Sequence, residues 1–312
     1  MRTRRSSSSS DPVSPGIVGH RSVLLHEAIE SLDIQPNDVV LDATLGGAGH
    51  AKAMTEKLGE KGVCIGIDLD HDAIERAQAL LQNSRCTVHF VEQNFRNLDE
   101  EIIKLGISHI DKALFDLGWS SFQLDAGRGF SFLKDEPLLM TYAKYPSGLT
   151  AKTIVNTWGE ESISDIIYGW GEERYSRRIA KAIIERREQK PFERADELSE
   201  TIKAAVPSSY RFGRIHPATR TFQALRIAVN DELGALKEGI SKAWKALRPG
   251  GRIAVISFHS TEDREVKRLF ASLAKEDAGK LVTRKPIVPS EGELKENPRA
   301  RSAKLRVIEK TT

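Results

Sequence analysis

The chain predicts an α/β fold, a doubly wound parallel sheet interrupted by a helical insertion. Short β-branched runs alternate with amphipathic helical stretches, the pattern of parallel strands joined by helices. The first run, Val39-Val40-Leu41, ends in Asp42 and a glycine-rich turn, where the chain must bend tightly and bring bare backbone near a ligand. From Asp125 to about Arg220 the strand alternation stops, and it resumes afterwards.

The elements follow in order. Met1 to Ser10 is rich in Arg and Ser and lacks acids. Asp11-Pro12 and Pro15-Gly16 follow, so residues 1–19 read as a disordered tail rather than a transit peptide. A helix over Val23 to Leu32 precedes the first strand. His50 to Leu58 reads as a helix that places the N–H groups of the turn at its N-terminus. The second strand, Val63 to Ile67, ends in Asp68. Asp70-His71-Asp72 leads into a helix over Ala73 to Leu81, capped by His71 or Asp72. Thr87 to Val91 is the third strand, and Lys112 to Phe115 the fourth, ending in Asp116. After the loops and short helices of the insertion, Thr219 to Leu247 reads as one long helix closed by Arg248-Pro249-Gly250-Gly251. A fifth strand over Arg252 to Phe258, a helix over Thr261 to Ala274, a proline-bearing loop and a last strand over Ala303 to Ile308 complete the chain.

Composition narrows the classes. The 312 residues can bury a full core, and a net charge of +3 with pI about 8.7 only mildly favours an anionic partner. Cys64 and Cys86 lie in or beside strands without metal-ligand spacing, as packed thiols of a cytoplasmic protein do. No apolar run approaches the roughly 20 residues of a membrane span. No metal cluster and no nucleophile–His–acid constellation is visible, so the expectation is a cytoplasmic protein with no membrane partner and no metal.

The strand ends carry the chemistry. Asp68 follows Gly49 at the distance that suits a grip on a ribose diol in a Rossmann-like fold. Gly46-Gly47-Ala48-Gly49 lacks the G-x-G-x-x-G spacing and holds no basic residue for a pyrophosphate. Asp42 would repel a diphosphate and suit the amino group of S-adenosylmethionine. Asp116-Leu117-Gly118-Trp119-Ser120-Ser121 lies at the carboxyl edge of the sheet, facing the sulfonium end of such a cofactor.

At these residues the chain resembles the MraW/RsmH family, bacterial enzymes that methylate the exocyclic N4 of a cytidine in the decoding region of 16S ribosomal RNA. The resemblance lies in His20 to Glu27, Leu41 to His50, Asp116 to Phe132, His216 to Leu233, Leu247 to Arg268 and Glu296 to Ser302. Gln123-Leu124-Asp125 with Arg128-Gly129-Phe130-Ser131-Phe132, and His216-Pro217-Ala218-Thr219-Arg220 through Arg226, are its most specific pieces. It implies a class I S-adenosylmethionine-dependent methyltransferase sheet with a helical inserted domain. The methyltransferase domain would comprise residues 20–124 and 221–312, with residues 125–220 as an RNA-binding insertion. It further implies that Ala48, Gly49 and His50 contact the methionine part of the cofactor and that Asp68 binds its ribose. Phe95 would pack near the adenine, and Asp116 and Gln123 would line the pocket.

The chain departs from the family pattern in four places. Ala48-Gly49-His50 stands for Gly-Gly-His, Phe122 for a proline, and Trp119 for a smaller residue. Pro137-Leu138-Leu139-Met140-Thr141-Tyr142-Ala143 stands for a run with two further acids and an arginine.

The chemistry assigns Asp116 and Ser120, with the Leu117 carbonyl, as acceptors for the attacking amine. Between Arg174 and Arg226 there are 13 Lys and Arg against 6 Asp and Glu, a basic stretch suited to phosphates. Arg211, Arg214, His216 and Arg220 are the RNA-binding candidates, and Trp119 or Phe122 offers a stacking face for the target base. The small ribosomal subunit, or its 16S RNA, is the expected partner. A methyltransferase with another substrate, and a non-catalytic ribosome-assembly factor that binds RNA, are the competing readings.

Overall fold

The computed structural model describes residues 21–118, 127–142, 148–276 and 278–312. In chain order the first elements are α1 (Leu25–Leu32), β1 (Val39–Asp42), α2 (Gly49–Thr55), β2 (Val63–Asp68), α3 (His71–Leu81), β3 (Thr87–Glu92), α4 (Leu98–Lys104) and β4 (Ile110–Asp116). Helices α5 (Ala151–Thr157), α6 (Glu160–Gly169), α7 (Ser176–Gln189), α8 (Ala195–Ala205) and α9 (Ser208–Arg211) form the insertion. Then come α10 (Thr219–Asn230), α11 (Glu232–Ala246), β5 (Leu247–Ser257), α12 (Ser260–Lys275), β6 (Gly279–Leu281), α13 (Glu291–Glu296) and β7 (Lys304–Lys310).

The strands form one sheet in the order β3-β2-β1-β4-β5-β7-β6. Strands β1 to β5 run parallel, and β7 lies antiparallel between β5 and β6. Alternation along the strands divides the core. Leu41, Ile65, Phe115 and Val255 face one layer with Leu98 and Ile102 of α4 and Leu236 and Ile240 of α11. Val40, Cys64, Leu114 and Ala254 face the other, with Ala28 and Leu32 of α1 and Met54 of α2. Both faces are covered, which is why the central strands read as continuous apolar runs. Strand order reverses between β1 and β4, so their carboxyl ends open a crevice at a topological switch point.

The doubly wound α/β expectation holds, with local corrections. Helix α3 begins at His71 and is capped by Asp70, whose carboxylate accepts the Asp72 N–H at 3.3 Å, rather than by His71 or Asp72. The long helix expected over Thr219 to Leu247 is two helices. Asp231 adopts the left-handed conformation (φ 46°, ψ 46°), which Asp tolerates better than most residues, and Arg96 holds its carboxylate at 2.6 Å. That break lets α10 join the insertion core while α11 returns to the sheet. Strand β6 and helix α13 escape the sequence pattern because they are too short to show a period.

The insertion has its own apolar core. Ile154, Ile163, Ile179, Phe192 and Leu198 meet Phe222 and Leu225 of α10, so this cluster extends past Arg220. The basic face of α7 is the solvated side of an amphipathic helix. Arg177, Arg178 and Lys181 are exposed, while Ser176, Ile179, Ala180 and Ile183 are buried. The expected tail, residues 1–19, lies outside the described residues.

Candidate active site

The glycine turn is pinned to both neighbouring strands. Ala43 N–H donates to the Leu114 carbonyl at 2.9 Å, and Leu45 N–H to the Ile67 carbonyl at 3.0 Å. Gly46 (φ 49°) and Ala48 (φ 58°) are both left-handed, a conformation that costs a non-glycine residue about 1–2 kcal/mol. Asp68 ends β2, where its Oδ2 accepts the Gly46 N–H at 2.8 Å and its Oδ1 the Asp70 N–H at 2.9 Å. These bonds fix the carboxylate at the wall of a cleft that Leu69, Phe95, Asp116, Gly118 and Leu236 also line. The Phe95 ring is set by an edge contact on Phe115, with centroids 5.6 Å apart.

Asp116 closes β4 at the head of this cleft. Its N–H donates to Thr44 Oγ1 at 2.7 Å, its Oδ1 accepts the Gly118 N–H at 3.1 Å, and its Oδ2 lies 3.5 Å from His50 Nδ1. His50 Nε2 is 3.1 Å from the Val23 carbonyl. A carbonyl only accepts, so this bond assigns the proton to Nε2 and leaves Nδ1 as an acceptor facing Asp116. Asp42 lies beneath the turn, 1% exposed, with Oδ1 accepting the Thr44 N–H at 3.1 Å and Oδ2 without a hydrogen-bond partner. It lines neither of the cavities beside the turn, so it does not reach a ligand's amino group directly, contrary to the sequence reading.

Burial pushes the Asp116 carboxyl up to about 7, against the Gly118 N–H and with help from Glu262. It pushes Asp42 up to about 6, against His50 and the Thr44 N–H. Burial also lowers His50, which favours the neutral ring. Neither acid has a Lys or Arg ion pair among the described residues, so this end of the sheet is short of positive charge.

A second buried cluster faces the same cleft and is compensated. Arg226 grips Glu232 through two bonds, Nε to Oε1 at 2.8 Å and Nη2 to Oε2 at 2.9 Å, and its Nη2 stands 3.9 Å from Glu262 Oε1. Tyr142 OH donates to Glu232 at 2.8 Å, and Glu262 accepts the Phe258 N–H at 2.9 Å. Burial would raise Glu262, but His259 and Arg226 hold its carboxyl below the usual value. Glu232, His259 and Glu262 bring their donor atoms within 4.8 Å of one another. The Arg226 guanidinium already supplies the positive charge that such a group attracts. Tyr142, from the run that departs from the family pattern, therefore anchors the insertion to α11 at the cleft wall.

The other sequence candidates scatter. Gly49 and His50 line a second cavity beyond the turn, while Ala48 is fully buried and lines neither. Ser120, Gln123, Trp119 and Phe122 lie outside the described residues. Arg211 donates to the Ala204 and Val206 carbonyls at 2.8 and 3.1 Å and so caps the end of α8. Arg220 donates to the Glu172 carbonyl at 3.3 Å, and His216 stacks on Phe132 with centroids 4.5 Å apart. Arg214 is exposed, and beside it stands Phe212, 88% exposed, which the charge count overlooked. Thr44, Tyr142, Phe258 and Glu262 were also missed. For Phe258 and Glu262 a signal existed, since Ser257-Phe258-His259 stands at a strand's carboxyl edge.

Residues 17–311 match the MraW methylase family. A protein of Clostridioides difficile named ribosomal RNA small subunit methyltransferase H is 47% identical over 307 residues, covering 93% of this chain and 98% of its own. A protein of the same name from Acetivibrio thermocellus is 49% identical over 309 residues, with 93% and 98% covered. The crystal structure of an rRNA methylase from Streptococcus thermophilus aligns over 92% of this chain and 94% of that one, at 12% identity and a TM-score of 0.44.

Proposed function

Because the chain belongs to the MraW methylase family, we propose that it methylates the exocyclic N4 of a cytidine in the decoding region of 16S ribosomal RNA, with Asp116 at the reacting atoms. The protein is an S-adenosylmethionine-dependent ribosomal RNA methyltransferase. One observation carries the site assignment. Asp116 stands where two cavities meet, half-buried near the buried Asp42, and neither acid has a Lys or Arg ion pair among the described residues. A cationic cofactor fits that deficit.

S-adenosylmethionine supplies an activated methyl group on a positively charged sulfur. Asp68 would hold its ribose and Phe95 its adenine, and the Ala48–His50 turn, with Gln123, would hold its methionine part. The cytosine amine is a poor nucleophile because its lone pair is delocalised into the ring. The Asp116 carboxylate and the Leu117 carbonyl, with the Ser120 hydroxyl, accept its N–H and localise density on nitrogen as it attacks. Attack would form the N–CH3 bond as the S–CH3 bond breaks, its electron pair staying on the departing neutral sulfur, and the methylated nitrogen would carry a proton to lose. Asp116 takes it, with His50 Nδ1 as the next acceptor, 3.5 Å away. Residues 125–220 form the RNA-holding unit, in which Arg211 and Arg214 stand on either side of the exposed Phe212 in the chain, followed by His216 and Arg220. The cytoplasmic small ribosomal subunit, or its 16S RNA, is the partner.

The test is methyl transfer from labelled S-adenosylmethionine to unmodified small subunits, followed by nucleoside mass spectrometry. The expected product is N4-methylcytidine, lost in Asp116→Ala. Cofactor binding with no methylated RNA would overturn the reading.

A further inference from the structure

Arg128 opens Arg128-Gly129-Phe130-Ser131-Phe132, one of the pieces most specific to the family, and it lines neither cavity. Its side chain instead joins two walls of the first cavity, the cleft beside Asp68. Nη2 pairs with Asp70 Oδ2 at 3.5 Å, and Nη1 donates to the Tyr142 carbonyl at 2.5 Å. Asp70 directly follows Asp68 and Leu69, which line the cleft at the β2 end, and Tyr142 lines it from the insertion. The proposed function gives the cofactor's ribose to Asp68 and the RNA to residues 125–220, so donor and acceptor ride on separate units. We infer that Arg128 is a positioning residue for methyl transfer, whose guanidinium fixes the insertion against the ribose-binding end of β2.

Both ends of this brace are themselves held. At β2, the Asp70 N–H donates to Asp68 Oδ1 at 2.9 Å, while Asp70 Oδ1 caps α3 through the Asp72 N–H at 3.3 Å. One short segment thus holds the ribose carboxylate, the start of a helix and the arginine. At the insertion, the Tyr142 N–H donates to Asn230 Oδ1 at 3.0 Å, and Asn230 Nδ2 donates to the Met140 carbonyl at 2.8 Å. The backbone that carries Arg128 is clamped too. The Met140 N–H donates to the Arg128 carbonyl at 2.7 Å, and the Gly129 N–H to Glu136 Oε2 at 2.9 Å. Gly129 is left-handed (φ 78°), and a Cβ there would run into the Pro137 carbonyl. The guanidinium is aimed by this backbone.

The other joints sit beside β5. The Arg226 cluster fastens the insertion to Glu232 of α11 and Glu262 of α12, and Glu172 fastens it to Ser260 and Arg264 of α12. A unit held along one edge keeps rotational freedom about that edge, and a joint at β2 removes it. In-line transfer tolerates little such freedom, because a displacement of about 1 Å can cost on the order of 10² in rate. The brace is shielded from water, with the Arg128 and Asp70 side chains 11% and 5% exposed, so salt screens it less than a surface pair. A lysine ammonium is a point charge, whereas the planar fork of Arg128 serves the carboxylate and the carbonyl together.

This inference rests on the RNA methyltransferase reading, and the experiment separates the two. Wild type, Arg128→Ala, Arg128→Lys, Asp70→Asn and the double variant of Arg128→Ala with Asp70→Asn are assayed with labelled S-adenosylmethionine and unmodified small subunits. The stoichiometry of cofactor binding by calorimetry counts the folded sites. Per folded site, kcat should fall about 100-fold in Arg128→Ala, with the KM for subunits and the cofactor affinity moved by less than about threefold. Arg128→Lys should recover part of the rate, since it keeps a charge beside Asp70. Asp70→Asn keeps a helix-capping side chain and should also slow transfer, and the double variant should be no slower than Arg128→Ala. A wild-type kcat per folded site in Arg128→Ala would overturn the positioning role, as would a loss of rate matched by a loss of binding sites. Should Arg128→Ala leave no sites to count, a wild-type kcat in Asp70→Asn would overturn it instead. Losses that multiply in the double variant would overturn the joint between the two residues. A wild type that transfers no methyl group to RNA would overturn the enzyme reading as well.

Discussion

On one side of the first cavity Asp42, buried, and Asp116, half-buried, stand around a neutral imidazole. On the other, Glu262, buried, and Glu232, half-buried, close on the guanidinium of Arg226. Each cluster removes two carboxyls from water, at a cost of several kcal/mol per ion unless a partner repays it. Around Arg226 the partner is built in, Glu262 is held below its usual value, and the cluster bolts the insertion to the sheet. Around His50 no cation is supplied, and the acids are pushed up toward 6 and 7. Compensation from within marks a structural joint, and its lack marks a site waiting for a charged ligand.

That contrast breaks most readily at Arg226. Arg226→Met takes the guanidinium away from Glu232 and Glu262 and should cost about 3–5 kcal/mol in denaturant unfolding. A loss under 1 kcal/mol would mean that the cluster is not a joint. The opposite signature belongs to Asp116→Asn. Its single-turnover methyl transfer should fall by roughly 10²–10⁴ with the cofactor saturating, while its stability above pH 7 is kept or raised. Retention of rate within tenfold would remove Asp116 from the reacting atoms.

The pH dependence sharpens the comparison. Both acids have folded-state values above the ordinary 3.8, so the folded protein holds more protons than the unfolded chain between those limits. Their contribution is full below pH about 4 and lost as pH rises through about 6 to 7. The melting temperature of the cofactor-free protein should drop across that window, and Asp116→Asn should flatten the upper part of the drop. An identical pH profile in the variant would contradict the assignment. The smallest effect belongs to Ala48→Gly. Relief of a left-handed backbone opposes loss of a buried methyl, so stability should move by less than about 1 kcal/mol.

Much of the sheet and two of the acids that line the cleft were legible because strand ends announce themselves. A β-branched run that stops in Asp68 or Asp116 gives both the element and the edge on which ligands bind. Asp42 showed the limit of that rule. Its position at a strand end was right, but the turn folds over it and hides it from both cavities. Tyr142, Arg226 and Glu262 could not be seen as a cluster, since segments far apart in sequence meet only once the insertion docks. The break at Asp231 was hidden for a similar reason. Local propensity favoured one helix, and the division of its two halves between separate cores decided otherwise. Counting basic residues could not show that the Arg211 guanidinium also engages carbonyls at the end of α8.

The most direct measurement is calorimetry of S-adenosylmethionine binding near pH 6.5, in two buffers of different ionisation enthalpy, for wild type and Asp116→Asn. A cluster that lacks a cation should release protons, on the order of one, as the cofactor brings its charge, and Asp116→Asn should release fewer. A binding enthalpy that does not depend on the buffer in the wild type would contradict the account.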